Sequence, residues 1–530
     1  MTETTDCSSR QEEILTGPSA EGDRRKAWGT LITVALGVIM VGLDGTVVAI
    51  ANPAIGRDLH ASLADLQWVT NAYLLALAVG LIPGGKLGDR YGRRLVFLIG
   101  VAGFALSSVG VAAIGSVPGV IAMRTVQGVF GALLLPNTIA LIRAVFPEDE
   151  LNRAVGIWSS SSAAAIAGAP VLGGLLVQKV NWQSVFLINL PVGIATLICG
   201  LLVTPESRES VRQRFDWAGL VLLAGAVFCL VYGMIRSELS GWSNGTTLGL
   251  LAAAAVLAVV FVEVERRHPA PLLPMHLFAT RSISLGVITL LLDFFALYGV
   301  LFFVSLYFQN VQHLDAIQAG VRLLPLIGVF SLASPYAGRI TTRFGSRVPI
   351  TVGMAMTAAA LAGLMVIDVG SSFWVLLPSM VGLGLGVALV VVASTEAIIA
   401  NAPVDEAGVA GGLQGIAIQL GGVLGSSVLG SILAARVASA LGPALTAERV
   451  PAGVAASVQS MSQVVDQGGV PAVGAPAWTQ PVTSASHVAF LSGLRLALLV
   501  GVAATLAGAV CGPWIRPASH EMDSAAPIHF

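Results

Sequence analysis

From residue 27 to residue 508 the sequence is a succession of apolar runs, most about 20 residues long, separated by short polar interruptions. A helix rises about 1.5 Å per residue, so each run is long enough to cross a hydrocarbon layer about 30 Å thick. In that layer a backbone must satisfy its own polar groups, and repeated runs of this length do so as helices. Composition agrees: 55% of residues are hydrophobic and 11% charged, against about 25% charged in soluble domains. The fold class is therefore an all-α integral membrane protein. Runs fall near 27–50, 66–84, 95–115, 118–142, 154–178, 184–204, 216–235, 246–264, 283–308, 317–338, 348–367, 373–398, 407–434 and 486–508, which predicts 14 transmembrane helices.

An even number of spans puts both ends on one side, and basic residues indicate which side. Arg10, Arg24, Arg25, Lys26, Lys86, Arg90, Arg93, Arg94, Arg143, Arg153, Arg208, Arg212, Arg214, Arg266, Arg267, Arg281, Arg339, Arg343, Arg347 and Arg516 fall on one face. Arg57, Lys179, Arg236, Arg436 and Arg449 fall on the other. The richer face is expected to be cytoplasmic, with both termini there, in a multi-pass protein of the cell membrane. The first apolar run has no signal-type cleavage site and reads as a true span.

Several functions lack their signatures. Cys7, Cys199, Cys229 and Cys511 lie far apart without metal-ligand spacing, and the seven histidines form no HxxxH or HExxH pair. No GxxxxGK[ST] or GxSxG segment occurs, so neither an attached ATPase nor a serine hydrolase is encoded, and no metal site or enzyme activity is expected. A net charge of −1 without a basic cluster gives nucleic acid no binding surface. Residues 435–485, where Pro, Gly, Ser and Ala mix, read as an external loop of low order.

The chain also repeats itself. Gly85-Lys-Leu-Gly-Asp-Arg-Tyr-Gly-Arg-Arg94 follows the second span, and Gly338-Arg-Ile-Thr-Thr-Arg-Phe-Gly-Ser-Arg347 follows the tenth. Glycines, arginines and an aromatic recur at matching offsets. If spans 7 and 8 are an insertion, both copies follow the second helix of a six-helix set. The layout is then a tail (1–26), an N-terminal six-helix bundle (27–204), an insert with flanking loops (205–282), a C-terminal bundle (283–508, containing the 435–485 loop) and a second tail (509–530). Parallel duplicated halves are an architecture of secondary transporters.

With these motifs the chain resembles the major facilitator superfamily, and within it the 14-helix drug:proton antiporters, over residues 27–508. The loop carrying Gly85, Asp89, Arg90, Gly92, Arg93 and Arg94 is similar to the superfamily's cytoplasmic signature, and the resemblance implies a conformational latch. In the second copy Thr342 replaces the acid, so the latch is expected to be asymmetric. Arg124-Thr-Val-Gln-Gly-Val-Phe-Gly131 resembles the helix-4 motif whose buried arginine is linked to proton coupling. An arginine inside an apolar span costs about 2.5–3.5 kcal/mol on insertion scales, so it needs a partner or a polar cavity. Gly168, Pro170, Gly173 and Gly174 resemble the antiporter signature of helix 5, with Ala169 where the family has glycine. There proline bends the helix and small residues permit close contact, as a gate seam needs. Leu43-Asp44-Gly-Thr46 resembles the helix-1 motif of the 14-helix group.

Asp44 and Asp293 are acids inside apolar runs, which makes each a functional candidate. Asp293 sits among Phe294, Phe295, Tyr298, Phe302, Phe303 and Tyr307, where charge and ring faces can hold a lipophilic cation. The expected function is proton-coupled export of a hydrophobic drug or antibiotic, cationic or not, by alternating access. Asp44, Arg124 and Asp293 would serve coupling and substrate. No cofactor is expected, the proton gradient being the energy source, and the partners are a lipophilic small molecule, protons and membrane lipid, with the protein acting as a monomer. Alternatives are a dedicated exporter of one endogenous metabolite or lipid, and a non-transporting membrane sensor on the same fold.

Overall fold

The computed structural model describes residues 18–207, 216–269, 271–403, 407–473 and 476–515. Arg10, Arg208, Arg212, Arg214 and Arg516 lie outside the described residues. Among these residues, 14 helices are long and apolar enough to span a membrane. They are α1 (Pro18–Leu59), α2 (Leu63–Tyr91), α3 (Arg93–Ala113), α4 (Val117–Val145), α5 (Glu148–Lys179), α6 (Ser184–Val203), α7 (Trp217–Ser240), α8 (Gly245–Arg267), α9 (Arg281–Leu306), α10 (Ala316–Phe344), α11 (Arg347–Leu364), α12 (Phe373–Ile399), α13 (Ala407–Ala447) and α14 (Thr479–Cys511).

The internal repeat is a repeat of geometry. Ser62 caps α2, accepting from the Asp65 backbone N–H at 3.2 Å while the Asp65 carboxylate accepts from Ser62 N–H at 2.9 Å. Asp315 caps α10 in the corresponding place, accepting from Gln318 N–H at 2.7 Å. Both helices end at a glycine with positive φ, Gly92 at 117° and Gly345 at 68°. In each copy an arginine lies over the aromatic next to it, Arg90 on Tyr91 at 5.3 Å and Arg343 on Phe344 at 5.4 Å. The turn needs glycine twice over at position 92, because a Cβ there would also meet the Glu206 carboxylate at 2.6–2.9 Å. Gly92→Ala is expected to destabilise the protein by about 1–2 kcal/mol from the backbone alone. Thermal unfolding of the purified protein in detergent measures this.

Packing follows the same symmetry. Within the first six helices α4 packs on α2 and α3, and α1 on α5 and α6; within the last six α12 packs on α10 and α11, and α9 on α13 and α14. The two bundles meet along two seams, α5 against α10 and α2 against α13, which exchange under the repeat. The inserted hairpin α7–α8 lies outside both bundles, with α7 against α2 and α13. The expected layout of two six-helix bundles plus two inserted helices is the one observed.

One expectation is overturned. Residues 435–485 are mostly helical rather than a loop of low order: α13 continues to Ala447, short helices span Ala452–Ser460 and Ser462–Val465, and α14 begins at Thr479. Alanine-rich sequence favours helix, and Pro451 sits at an N-cap, where its missing N–H does no harm. This segment straps the halves together on the face opposite the basic one. Gln467 Nε2 donates to the Ala61 carbonyl at 2.9 Å, and Asn310 Nδ2 donates to the Gln467 carbonyl at 2.7 Å.

Candidate functional site

Helix α1 carries Asp44 and α4 carries Arg124, and packing of α1 on α4 brings the two together in the interior of the first bundle. They form an ion pair, each side chain 1% exposed or less. Arg124 also donates from Nε to the Val69 carbonyl at 3.0 Å and from Nη1 to Gln127 Oε1 at 2.6 Å. Its guanidinium lies 4.2 Å from the Tyr73 ring and 5.6 Å from that of Phe186. The arginine that the sequence left in need of a partner has a carboxylate, an amide, a carbonyl and two ring faces.

Asp44 is equally well held. Gln127 Nε2 donates to its Oδ1 at 2.9 Å and to Ser108 Oγ at 2.8 Å, and Asn189 Nδ2 reaches the same two oxygens at 3.2 Å each. Five helices therefore converge on one charge pair: α1, α2, α3, α4 and α6. A carboxylate that accepts from a guanidinium and two amides is stabilised as the anion. Removing its charge, by protonation or mutation, weakens every one of these contacts together. Chemically this is a site where one proton can reset the packing of a whole bundle.

Sequence reasoning reached Asp44 and Arg124 separately and missed their supports. Gln127 was legible from its spacing, since three residues from Arg124 places it on the same helix face. Ser108 and Asn189 are polar residues inside apolar runs. Tyr73 carried no signal, because an aromatic in an apolar span looks like any other packing residue. Tyr298 comes from the second half: it packs against the core that holds Tyr73 and Leu74, and its hydroxyl lies 3.9 Å from where a Cβ on Gly45 would stand.

Asp293 is placed elsewhere. It is fully buried in the second bundle, where Thr357 of α11 donates to its Oδ1 at 3.3 Å and Oδ2 has no hydrogen-bond partner. It does not share a site with Asp44. It also parts from its aromatic neighbours, because Phe294 and Tyr298 turn toward Gly421 and Gly422 of α13, onto the seam side of α9. The expected charge-and-ring pocket around Asp293 is thus not assembled: residues one and five apart on a helix point in different directions.

The latch residues form a corner that binds α2, α3 and the end of α6. Asp89 accepts from Arg93 Nε at 2.9 Å, and Gly88 lies so close to Asn137 of α4 that no side chain fits. The Glu206 carboxylate, which sequence reasoning missed, accepts from the backbone N–H groups of Arg94 and Leu95 at 3.1 and 3.3 Å, where the start of α3 favours an anion. Lys86 reaches the insert, donating to the Pro271 carbonyl at 2.8 Å. Thr342, standing where Asp89 does in the first copy, bonds only its own helix through Gly338 O at 3.0 Å.

On α5 the small residues do lie at seams. Gly174 abuts the Ala316 backbone of α10, the Pro170 carbonyl abuts Gly320, and Gly173 faces Val47 of α1. Gly168 has nothing within 4 Å.

Two pseudo-symmetric six-helix bundles, two interchangeable seams and a buried charge pair in one bundle define a secondary transporter of the membrane rather than an enzyme. The sequence model of the Major Facilitator Superfamily matches residues 34–426. The chain is 45% identical over 522 residues to the "Tetracenomycin C resistance and export protein" of Streptomyces glaucescens, covering 96% of this chain and 95% of that one. It is 35% identical over 494 residues to the "Multidrug resistance protein Stp" of Mycobacterium tuberculosis, covering 92% and 91%. Among solved structures, a bacterial homologue of the human lysosomal transporter Spinster, inward-facing and unoccupied, superposes with a TM-score of 0.62 at 15% identity over 93% of this chain and 99% of that chain. A D-xylose–proton symporter does so at 0.59 and 14%, over 93% and 98%. This chain belongs to the Major Facilitator Superfamily and is a multi-pass cell-membrane protein.

Proposed function

We propose that the chain exports a hydrophobic drug or antibiotic in exchange for protons, by alternating exposure of a site between its two bundles. The observation that carries this reading is the Asp44–Arg124 pair, held by Gln127 and Asn189 inside the first bundle. A buried charge pair is a weak contributor to stability, and replacement by apolar residues is often neutral or better. Its presence in a membrane bundle is best accounted for by work that needs a titratable carboxylate. Relatives named for tetracenomycin C export and for multidrug resistance support a small lipophilic cargo and the outward direction. The excess of arginine on the face of both termini supports a cytoplasmic location for those ends. The proton gradient supplies the energy, no cofactor takes part, and one chain suffices as the working unit.

Alternating access needs a closure that can open. On the face opposite the basic one the halves are joined by Ser305 Oγ donating to the Ala49 carbonyl at 2.7 Å, by Gln309 Nε2 donating to that of Ile50 at 3.2 Å, and by the Gln467 strap. Gln467→Ala is expected to loosen this closure and raise labelling of a cysteine placed at Ser305 by a membrane-impermeant thiol reagent severalfold.

The test of function is an efflux panel of chemically unrelated compounds in a host stripped of its own pumps, paired with purified protein in vesicles under an imposed pH gradient. Several compounds moved with the gradient support a multidrug antiporter. One compound alone indicates a dedicated exporter. Binding without gradient-driven accumulation indicates a sensor and overturns the proposal.

A further inference from the structure

The two seams that the repeat makes equivalent are not closed to the same extent. The α2–α13 seam is closed along its length. Toward the face opposite the basic one, Asn71 Nδ2 donates to Ser427 Oγ at 2.9 Å and Ser426 Oγ donates to Asn71 Oδ1 at 2.6 Å. Leu74 lies against Gly422, and toward the basic face Leu81 and Ile82 lie against Gly415 and Gly412. Helix α7 then covers the same seam from outside. Val227, Val231 and Ile235, four residues apart, are buried in the core that contains Leu74, Leu77 and Leu81 of α2 and Val423 of α13. Ser431 of α13 donates to the Met234 carbonyl of α7 at 2.8 Å.

The α5–α10 seam is closed over only half its depth. Gly174 and Pro170 meet Ala316 and Gly320 at backbone contact on the side away from the basic face. Five helical turns further along α10, on the same helix face as Gly320, Gly338 has nothing within 4 Å. On α5, Gly168 and Gly156 likewise have nothing within 4 Å. The two helices therefore diverge toward the basic face, and no inserted helix covers the gap. Its rim is apolar and open: Ile157 is 37% exposed, Tyr336 62% and Leu332 74%.

The walls also have a distinct chemistry. Residues 154–178 and 323–338 contain no charged residue, and charge is confined to the mouth at Arg153 and Arg339. Ser160, Ser161 and Ser334 donate to their own helix at Gly156, Ile157 and Phe330, at 2.8, 2.9 and 2.7 Å. Their protons are thus satisfied, while the oxygens remain able to accept. A cation entering here would lose hydration against walls that offer no counter-charge. A neutral amphiphile with a few hydroxyl or amide donors would lose little.

We infer that the α5–α10 cleft is a one-sided lateral entrance for neutral amphiphiles dissolved in the leaflet at the basic face, and that the α7–α8 insert is the seal which denies the matching route at α2–α13. This deepens the export reading and rests on it. The insert thereby acquires a task that its peripheral packing alone does not explain.

The experiment uses vesicles holding the full chain under a pH gradient. They are supplied with a homologous series of neutral, hydroxyl-bearing fluorescent lipophiles of rising membrane partition and, separately, with a water-soluble quaternary ammonium dye. Three variants are compared with the parent: Gly168→Trp and Gly338→Trp, which fill the cleft, and Gly249→Trp, at an open position on α8 where nothing lies within 4 Å. Initial rates for the neutral series should rise with partition. They should fall at least tenfold in Gly168→Trp and Gly338→Trp and stay within twofold in Gly249→Trp, with all variants inserted equally. Rates unaffected by tryptophan in the cleft, or movement of the quaternary dye without the neutral series, overturn the entrance and leave export standing. No movement of any compound by the parent overturns the export reading, and the entrance with it.

Discussion

Asp44→Asn is expected to abolish proton-driven export, at least a hundredfold below the parent, while the protein still inserts and folds. Asparagine keeps the size and can still accept from Gln127 and Asn189, whose amides lie at 2.9 and 3.2 Å. It cannot change charge with a proton, and it leaves Arg124 without its counter-ion. Stranding one partner of a buried pair costs about 3–5 kcal/mol, so lowered thermal stability should accompany the loss. A second variant separates the two effects. Asp44→Asn combined with Arg124→Gln removes both charges and is expected to regain most of the stability without regaining transport, since hydrogen bonding survives and titration does not. Vesicle efflux under an imposed pH gradient, with unfolding temperatures measured alongside, tests both. If the double variant transports, the pair is structural and the coupling site lies elsewhere.

Gly320→Val is expected to stop transport by a different route. A side chain there would overlap the Pro170 carbonyl of α5, and backbone on both helices leaves no flexible atom to move aside. The closed end of the α5–α10 seam could then not form, and alternating access would stall with the face opposite the basic one ajar. Export should fall to background, while thiol labelling of a cysteine at Ser305 rises severalfold over the parent. Background export with unchanged labelling would mean a folding defect, and normal export would mean that this close approach is dispensable.

The contrast between these sites shows how far a one-dimensional reading reaches. The 14 spans, the duplicated glycine corners and the two six-helix sets were legible because each depends on local features: run length, turn chemistry and repetition at a fixed offset. Arg124 was legible as a problem, since a charge in an apolar run must be compensated, but its solution lies 80 residues away in α1. Asp293 looked like the better substrate acid because aromatics surround it in sequence. In space α9 turns it toward Thr357 and turns Tyr298 toward the other half. Residues 435–485 looked irregular from their prolines and glycines. Their alanines and the support of both bundles nevertheless hold them in helices, with Gln467 tying Ala61 to Asn310.

By itself, then, the sequence determined that this is a duplicated membrane transporter of 14 helices, because the thickness of a bilayer and the conformations open to glycine and proline act on neighbouring residues. Tertiary structure alone decided that Asp44 meets Arg124, that Asp293 stands apart, and that one seam is sealed by α7 while its twin opens toward the basic face. Those outcomes depend on which helix faces are turned toward one another, and packing of the whole bundle, rather than any local stretch, sets that rotation.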